Sequence, residues 1–280
     1  MENLGYYNGE IGKINDIKIP MTDRVCFFGD GVYDATIAGN HVIFTLEEHV
    51  DRFYESASFI KLNLSISKNE LMELLSSLVR KVDSPSQLVY WQATRGTALV
   101  RTHFFPENAR ANIWVMLRPI DLPDLEKKYK LITVEDTRYL HCNIKTLNLL
   151  PNVLAAEKAQ AAGCQEAVFH RGDRVTECSH SNVHILKNGE LCTAPADNYI
   201  LPGIARSHLI KICKLLEIPV VEKAFTISEM MDADEVLVTS ASNFCSSASH
   251  INGEPVGGKA ENLLVKLRTS LLEEFKTAVK

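Results

Sequence analysis

The sequence predicts an α+β protein with two domains, a sheet packed by two helices followed by a barrel-like domain. Its 280 residues are enough for one large domain or two modest ones. Two prolines interrupt the chain within 118–124, where no hydrophobic periodicity is visible. Amphipathic helices are prominent before this point, and short strand-like runs dominate after it. We therefore predict an N-terminal domain over 1–118, a connection over 119–124 and a C-terminal domain over 125–280.

Turn and capping patterns define the N-terminal elements. Asn8-Gly9 is flanked by short aromatic and apolar runs, which is typical of a two-residue hairpin. A short strand over 42–44 leads into Thr45-Leu-Glu-Glu48, whose spacing predicts a capping box at the start of a helix. Ser67-Lys-Asn-Glu70 repeats this spacing before leucines that recur at the helical period. Two further strands complete the domain, over 88–94 and 112–117.

Short strands dominate the predicted C-terminal domain. They are expected over 131–135, 166–169, 174–177, 182–186, 190–193, 220–223 and 235–239. Asn188-Gly189 predicts a hairpin between two of them. Helices are predicted over 149–162, closed by Gly163, over 204–217 and at the C-terminal end. Many short strands joined by hairpin turns indicate a barrel-like arrangement.

Composition and spacing exclude several classes of protein. The net charge of −5, without a basic stripe, argues against nucleic-acid binding. No apolar stretch approaches a membrane span, and the N-terminus lacks the pattern of a secretory signal. The seven cysteines are odd in number and lack CxxC spacing, so we expect reduced thiols in a cytoplasmic protein. No metal site is predicted, because His180 and His184 stand roughly 13 Å apart on a predicted strand.

One lysine lies in a segment of unusually low charge. Lys145 belongs to residues 142–152, directly before the helix predicted from 149. Lysines are normally solvated surface residues. In a water-poor pocket, however, a lysine amine can form a Schiff base with a carbonyl compound. Such chemistry needs a partner, and the candidate is the polar segment 176–182, which contains Glu177.

Two segments resemble those of the fold-type IV, or class IV, pyridoxal-phosphate aminotransferases. They are Asn-Ile-Lys145-Thr-Leu-Asn and Thr-Glu177-x-Ser-x-Ser-Asn. Further segments match family blocks in the same order: Phe-Gly-Asp-Gly-Val-Tyr33, Glu-His-Val-Asp-Arg52, Leu-Pro-Gly203-Ile-Ala-Arg206 and Val-Thr-Ser240-Ala-Ser. The resemblance covers essentially the whole chain. It implies a smaller N-terminal α/β sandwich and a larger C-terminal pseudo-barrel, with pyridoxal 5'-phosphate bound between them.

The resemblance implies roles for the residues around the cofactor ring. Lys145 is expected to form the Schiff base with pyridoxal phosphate and to carry the proton during catalysis. Glu177 is expected to face the pyridine nitrogen, where an anionic partner keeps that nitrogen protonated. Arg138 and His49 would stand behind Glu177 in a hydrogen-bonded chain. The alternatives for these two residues are a surface ion pair and an imidazole at a helix start.

The resemblance also implies a phosphate site. Arg52 would bind the phosphate, since its planar guanidinium suits that anion. The helix predicted from 204 offers backbone N–H groups at its start, and a second loop follows the strand at 235–239. The remaining contacts implied are Leu201, against the ring, and Gly203, Ile204, Ala205, Ser240 and Ala241. A threonine is common in the family where Ala205 and Ala241 stand, so we expect weaker cofactor retention.

The substrate site is implied by Arg101 and His103, which precede Phe-x-x-Glu-Asn108. This pair resembles the carboxylate trap of D-amino-acid aminotransferases, which is reached from the neighbouring subunit and completed by a tyrosine, here Tyr33. Two residues apart on an extended segment, both side chains point to one side, and an arginine binds a carboxylate bidentately. One residue is inserted between Gly96 and Arg101 relative to the usual loop, and a polar surface loop is the alternative.

The resemblance therefore implies a homodimeric enzyme that transaminates D-alanine and D-glutamate with 2-oxoglutarate or pyruvate in a ping-pong reaction. Branched-chain L-amino-acid aminotransferases and aminodeoxychorismate lyases are the alternatives on the same fold. A non-catalytic binding protein is a further alternative, but it would be expected to lack Lys145 or Glu177. Cys178 and His180 stand where the D-enzymes usually carry small residues.

Overall fold

The computed structural model describes residues 1–107 and 109–280, which form two compact units. The first unit comprises Met1–Leu122, Ile144–Asn148 and Phe275–Lys280. The second comprises Pro123–Asn143 and Leu149–Glu274. Each unit combines a sheet with helices, which confirms the predicted α+β class. The predicted domain boundaries at 118 and 125 stay a prediction.

A six-stranded antiparallel sheet organises the first unit. Its strands are β1 (Leu4–Tyr7), β2 (Glu10–Gly12), β3 (Gly31–Gly39), β4 (Val42–Ile43), β5 (Ser86–Thr94) and β6 (Asn112–Pro119). Their spatial order is β2-β1-β6-β5-β3-β4. Helices in this unit are α1 (Val25–Phe28), α2 (Leu46–Phe59) and α3 (Lys68–Val79). The apolar stripes of α2 and α3 pack with Trp91 of β5 in one core through Val50, Phe53, Leu71 and Leu75.

Local sequence signals account for most turns and caps of this unit. The Asn8-Gly9 hairpin is confirmed, since it joins the antiparallel pair β1–β2 and both turn residues have positive φ. The capping box of α3 is also confirmed, because Ser67 Oγ accepts from the Glu70 N–H and the Glu70 carboxylate accepts from the Ser67 N–H. The capping box at Thr45 is wrong. Thr45 has a left-handed backbone, with φ of 50°, whereas a capping side chain needs an extended one.

Strand β3 was not predicted, although it spans nine residues and pairs with β5 along its whole length. Glycine is required where it begins. A Cβ atom on Gly31 would lie 2.4 Å from the carbonyl oxygen of Ala93 on the paired strand. Glycine at both ends and Asp34 in the middle obscure the strand pattern of β3, although the strand is buried for most of its length.

The segment Ile144–Asn148 is bonded to β3 and therefore counts with the first unit. The N–H of Tyr33 donates to the carbonyl of Lys145 at 3.0 Å, and the N–H of Leu147 donates to the carbonyl of Gly31 at 3.1 Å. These two long-range backbone hydrogen bonds hold the lysine segment against β3. The predicted boundaries place Lys145 in the C-terminal domain, and that assignment stays a prediction.

A nine-stranded mixed sheet organises the second unit. Its strands are β7 (Tyr129–Glu135), β8 (Glu166–Arg171), β9 (Arg174–Cys178), β10 (Asn182–Lys187), β11 (Glu190–Thr193), β12 (Val220–Glu222), β13 (Glu235–Thr239), β14 (Ser246–Ile251) and β15 (Glu254–Pro255). Their order is β12-β11-β10-β13-β14-β7-β8-β9, with β15 paired to β14. The helices are α4 (Leu150–Ala161), α5 (Ile204–Leu215), α6 (Ile227–Met231) and α7 (Glu261–Ala278), whose last residues count with the first unit.

The sheet of the second unit curls back on itself. Only residues 179–181 separate β9, at one end of the sheet, from β10, near the other end. Such a short connection requires the two regions of the sheet to lie close together, as the barrel-like prediction expects. The predicted strands are present with bounds that shift by at most two residues, and Asn188-Gly189 joins β10 and β11 in a hairpin. Strand β14 and helix α6 were not predicted.

The two faces of β10 and β13 are buried in separate clusters. Val183 and Ile185 point into the core that also contains Val236 and Val238. Leu186 and Leu237, on the other face, pack with apolar residues of α5 and α7, which include Leu209, Cys213, Leu264 and Leu267. Across residues 1–107 and 109–280, no helix is both long enough and apolar enough to cross a membrane.

Candidate active site

Lys145 and Tyr33, both predicted as site residues, lie next to each other in the first unit. The Nζ atom of Lys145 is 4.4 Å from the centre of the Tyr33 ring, and that ring stacks on Tyr90 at 5.5 Å. The N–H of Lys145 donates to Ser56 Oγ of α2 at 3.1 Å, so α2 and β3 together fix the lysine backbone. An amine held over an aromatic ring and half-buried can act as a nucleophile or as a proton carrier.

A buried ion-pair triad lies in the same unit. Arg52 donates to the Asp34 carboxylate through Nε at 2.9 Å and through Nη2 at 2.7 Å, and His49 Nδ1 lies 2.7 Å from Asp34 Oδ1. Burial opposes ionisation of Asp34, but Arg52 and His49 outweigh it and hold the pKa of Asp34 well below its ordinary value. Burial lowers the pKa of His49. The predicted link from His49 to Glu177 stays a prediction.

Sequence reasoning missed Asp34, although one signal could have found it. Asp34 is the only charged residue of β3, a strand whose other members are apolar, small or hydroxylic. An uncompensated charge on such a strand requires a buried partner. Here Arg52, predicted as a phosphate ligand, and His49 are the partners.

The structure brings Arg101 and His103 together on one aromatic ring. The guanidinium carbon of Arg101 lies 4.8 Å from the centre of the Phe28 ring, and the ring centres of His103 and Phe28 are 5.1 Å apart. Both polar side chains are exposed in the chain. Arg24 holds their loop, since its Nη1 donates to the carbonyl of Thr102 at 2.7 Å. Asn108, the last residue of the predicted motif, lies outside the described residues.

In the second unit, Glu177 sits in a dense set of donors. Arg138 Nη1 donates to Glu177 Oε1, while Asn182 Nδ2 and the N–H of Leu201 donate to Oε2 at 3.1 and 2.9 Å. Arg138 is itself fixed by Asp136, which accepts from Nε and Nη2 at 2.9 Å. Arg138 is only 8% exposed, so the alternative of a surface ion pair is wrong. A buried carboxylate with these donors is held in one orientation and in its charged form.

The two serines of the 176–182 segment have a structural explanation. Ser179 Oγ and Ser181 Oγ donate to the Glu166 carboxylate at 2.6 and 2.5 Å, and the N–H of His180 donates to it at 3.0 Å. Burial opposes ionisation of Glu166, but His180 and the serine hydroxyls outweigh it and lower the pKa of Glu166. Glu166 thus fixes the β9–β10 turn, which directly follows the end of β9 where Glu177 lies. Cys178 packs in the core of this unit with Val168 and Val183.

The start of α5 and the turn after β13 present backbone donors. Gly203 is the N-cap of α5, before Ile204 and Ala205, and in the described residues no side chain caps this end. Glycine is required there, because a Cβ atom would lie 2.0 Å from Asn182 Oδ1. The turn Ser240–Ala241 follows β13 directly. Asn243 lies two residues later, and its buried amide nitrogen has no hydrogen-bond partner among the described residues.

These groups fit the pyridoxal phosphate expected from the sequence. Uncapped N–H groups at the start of α5 and the unpaired amide of Asn243 are suitable donors for a phosphate. The carboxylate of Glu177, charged and oriented by Arg138, suits a protonated ring nitrogen. The amine of Lys145 suits an aldehyde. The chemistry of the donor set therefore agrees with this cofactor.

Comparison with known proteins gives relatives along nearly the whole chain. Residues 31–251 match the family described as amino-transferase class IV. The D-alanine aminotransferase of Listeria monocytogenes serotype 1/2a (strain 10403S) is 40% identical over 276 residues, which cover 97% of this chain and 96% of the relative. The D-alanine aminotransferase of Staphylococcus haemolyticus is 41% identical over 255 residues, 90% of each chain.

Solved structures with the same fold are less similar in sequence than these relatives. The branched-chain amino acid aminotransferase of Escherichia coli is 21% identical, with a TM-score of 0.90 over 100% of this chain and 96% of its own. The branched-chain aminotransferase of the thermophilic archaeon Thermoproteus uzoniensis, solved with norvaline, is 22% identical, with a TM-score of 0.87 over 99% and 97% of the two chains. The predicted two-domain architecture, a smaller sandwich and a larger pseudo-barrel, is confirmed by this similarity of fold.

Proposed function

Because the chain belongs to the class IV aminotransferase family, we propose that it transfers amino groups between D-amino acids and 2-oxo acids with pyridoxal phosphate. D-alanine and D-glutamate are the amino donors, and pyruvate or 2-oxoglutarate is the acceptor. The observation that carries the D-amino-acid assignment is the pairing of Arg101 and His103 on the Phe28 ring. An arginine and an imidazole on one ring offer several converging donors to a single carboxylate.

Lys145 and Glu177 perform the chemistry. When bound, pyridoxal phosphate supplies an electron sink that acidifies the Cα–H bond of the substrate. Lys145 would hold the cofactor through its amine while no substrate is bound. Once the substrate amine has taken that place, the freed Nζ atom would accept the Cα proton and return it. Glu177, fixed by Arg138, provides the negative charge that keeps the ring nitrogen protonated. Leu201, whose N–H donates to Glu177, would lie against the ring.

The phosphate is held by one side chain and several backbone groups. Arg52 supplies the side chain, and its bonds from Nε and Nη2 to Asp34 fix the guanidinium plane. The backbone of the α5 start and of the turn after β13 supplies the remaining donors, at Gly203, Ile204, Ala205, Ser240 and Ala241. Ala205 and Ala241 lack hydroxyl groups, so backbone N–H groups carry the binding there and retention of the cofactor is weakened.

The carboxylate trap is shared between two copies of the chain. Arg101 and His103 reach the site of the neighbouring subunit, where Tyr33 completes the trap. Apolar residues around the pair support this assignment, since Leu99 is 93% exposed and Val100 and Phe104 are 71% and 83% exposed in the single chain. A homodimer would cover them. A cytoplasmic location belongs to the same proposal and is supported by the free thiols of all seven cysteines.

A half-reaction scan tests the proposed function. The purified holoprotein is mixed separately with D-alanine, D-glutamate, L-leucine and L-glutamate, and the absorption of the bound cofactor is followed. We expect conversion to the amine form with the two D-amino acids only. Conversion by L-leucine and L-glutamate would instead identify a branched-chain enzyme in which Arg101 and His103 form a surface loop. Protein without any cofactor band would contradict the cofactor assignment.

Mixing two inactive variants tests the shared site. Lys145→Ala and Arg101→Ala should each be inactive alone with D-alanine. After the subunits exchange, a mixed dimer has one site with both an intact Lys145 and an intact Arg101. We expect about a quarter of wild-type activity, because half of random dimers are mixed and one of their two sites is complete. Activity that does not return, in samples shown by sedimentation to contain mixed dimers, would place Arg101 in the site of its own subunit.

A further inference from the structure

One buried histidine has no part in the proposed function. His184 lies on β10 and is 0% exposed. It points to the same face of the strand as Asn182, two residues earlier, which donates to Glu177. Both ring nitrogens are engaged by threonines: Nδ1 lies 2.8 Å from Thr193 Oγ1, and Nε2 lies 2.8 Å from Thr239 Oγ1. The imidazole therefore spans the gap from β11 to β13 beneath helix α5.

The hydrogen bonds continue beyond the histidine at both ends. Arg206, in the first turn of α5, donates from Nε to Thr193 Oγ1 at 3.2 Å. Arg206 is also bonded to the carbonyl of Ala194 and to Glu222, both at 2.8 Å, so its position is well defined. Thr239 is the last residue of β13 and directly precedes Ser240. One line of buried contacts thus joins the helix start to the turn.

The protons in this line can be assigned from its chemistry. Burial and, second, the charge of Arg206 lower the pKa of His184 to about 3, so its ring is neutral and offers one donor and one acceptor. Thr193 accepts from Arg206, which leaves its own hydroxyl proton for His184 Nδ1. The Nε2–H group then donates to Thr239. Each group donates in the same direction, and such chains are strengthened cooperatively.

We propose that His184 is a positioning residue that ties the turn Ser240–Ala241 to the start of α5, so that both segments bind one phosphate group. The inference rests on the proposed function, which places the cofactor phosphate on these segments. Backbone donors bind an anion well only if their spacing is fixed before the anion arrives. Ala205 and Ala241 have no side-chain hydroxyl to bind the phosphate. Phosphate binding therefore depends more on the fixed spacing of the backbone N–H groups than it would with threonine at these positions.

The test compares a ligand that has the phosphate with one that lacks it. His184→Phe keeps the ring volume and removes both hydrogen bonds. The full-length variant is stripped of cofactor and titrated with pyridoxal phosphate and with pyridoxal. We expect about tenfold weaker binding of pyridoxal phosphate and no change for pyridoxal. Thr239→Val should weaken pyridoxal phosphate similarly, and the double variant should lose no more than either single one, because the residues act as one line.

A matched control separates positioning from general stability. Ile185→Val, on the opposite face of the same strand, should lower Tm and leave the ratio of the two dissociation constants unchanged. Equal weakening of pyridoxal phosphate and pyridoxal by His184→Phe, or no weakening of either, would overturn the inference. The wild-type half-reaction with D-alanine distinguishes this outcome from failure of the proposed function, since it does not depend on any His184 variant.

Discussion

Replacing Lys145 with alanine is expected to reduce kcat with D-alanine by at least about a thousandfold, because the group that moves the Cα proton is lost. The absorption of bound cofactor should disappear from the purified variant as well. The fold should survive, since the hydrogen bonds to Ser56 and Tyr33 use the backbone N–H and carbonyl of residue 145. Steady-state kinetics with D-alanine and 2-oxoglutarate, together with Tm, measure these effects.

Two further variants test whether the loss of activity is specific to the amine of Lys145. Lys158→Ala removes an exposed lysine of α4 and should leave kcat and Tm unchanged. Lys145→Arg keeps a positive charge near the Tyr33 ring but provides no amine for covalent attachment, so it should be as inactive as the alanine variant. Substantial turnover by Lys145→Arg would mean that the residue acts through its charge alone, and the assigned role would be wrong.

Turns and caps with local chemistry could be predicted from the sequence, whereas elements defined by distant partners could not. The Asn8-Gly9 and Asn188-Gly189 hairpins depend on residues that tolerate positive φ, so their own chemistry identifies them. Thr45 has the spacing of a cap, but the turn after β4 puts it in a left-handed conformation. Strand β14, with the polar sequence SSASHI, exists because β13 and β7 pair with its two edges.

The same distinction holds for the candidate site. Lys145 and Glu177 could be identified from the sequence because each stands in a contiguous motif. The residues that contact them are seen only in the structure. Asp34, Glu166 and His184 were not identified as partners, because each is bonded to residues on another element or turn of the fold. A buried polar residue can be found in a sequence as an exception on an apolar strand, but its partner is fixed only by the pairing of the strands.

The Asp34→Asn variant is expected to lose ~3–5 kcal/mol of unfolding free energy at pH 7. Asp34 is 0% exposed, and its carboxylate accepts two hydrogen bonds from Arg52. His49 Nδ1 lies within hydrogen-bond distance of the same carboxylate. Asparagine keeps the shape of the side chain but removes the counter-ion of a buried guanidinium. Urea denaturation measures the loss. Because Arg52 is oriented by Asp34, pyridoxal phosphate should also dissociate from the variant faster than from the wild type.

The pH dependence separates the charge of Asp34 from its packing. Arg52 and His49 outweigh burial and hold the pKa of Asp34 below its ordinary value, so the folded state has the lower pKa. The contribution of this carboxylate is therefore complete above the unfolded-state value of about 3.9 and is lost as pH falls toward the folded-state pKa. We expect the stability difference between wild type and Asp34→Asn to be constant near neutrality and to shrink below about pH 4.

Asp51→Asn is the matched control for this prediction, because Asp51 lies on α2 with Arg52 but pairs with Lys68 at the surface. The two side chains are 55% and 48% exposed, and exposed ion pairs contribute only ~0–1 kcal/mol. Asp51→Asn should therefore lose less than about 1 kcal/mol and should leave the release of pyridoxal phosphate unchanged. Equal losses in the two variants would contradict the buried triad, since water would then screen Asp34 as it screens Asp51.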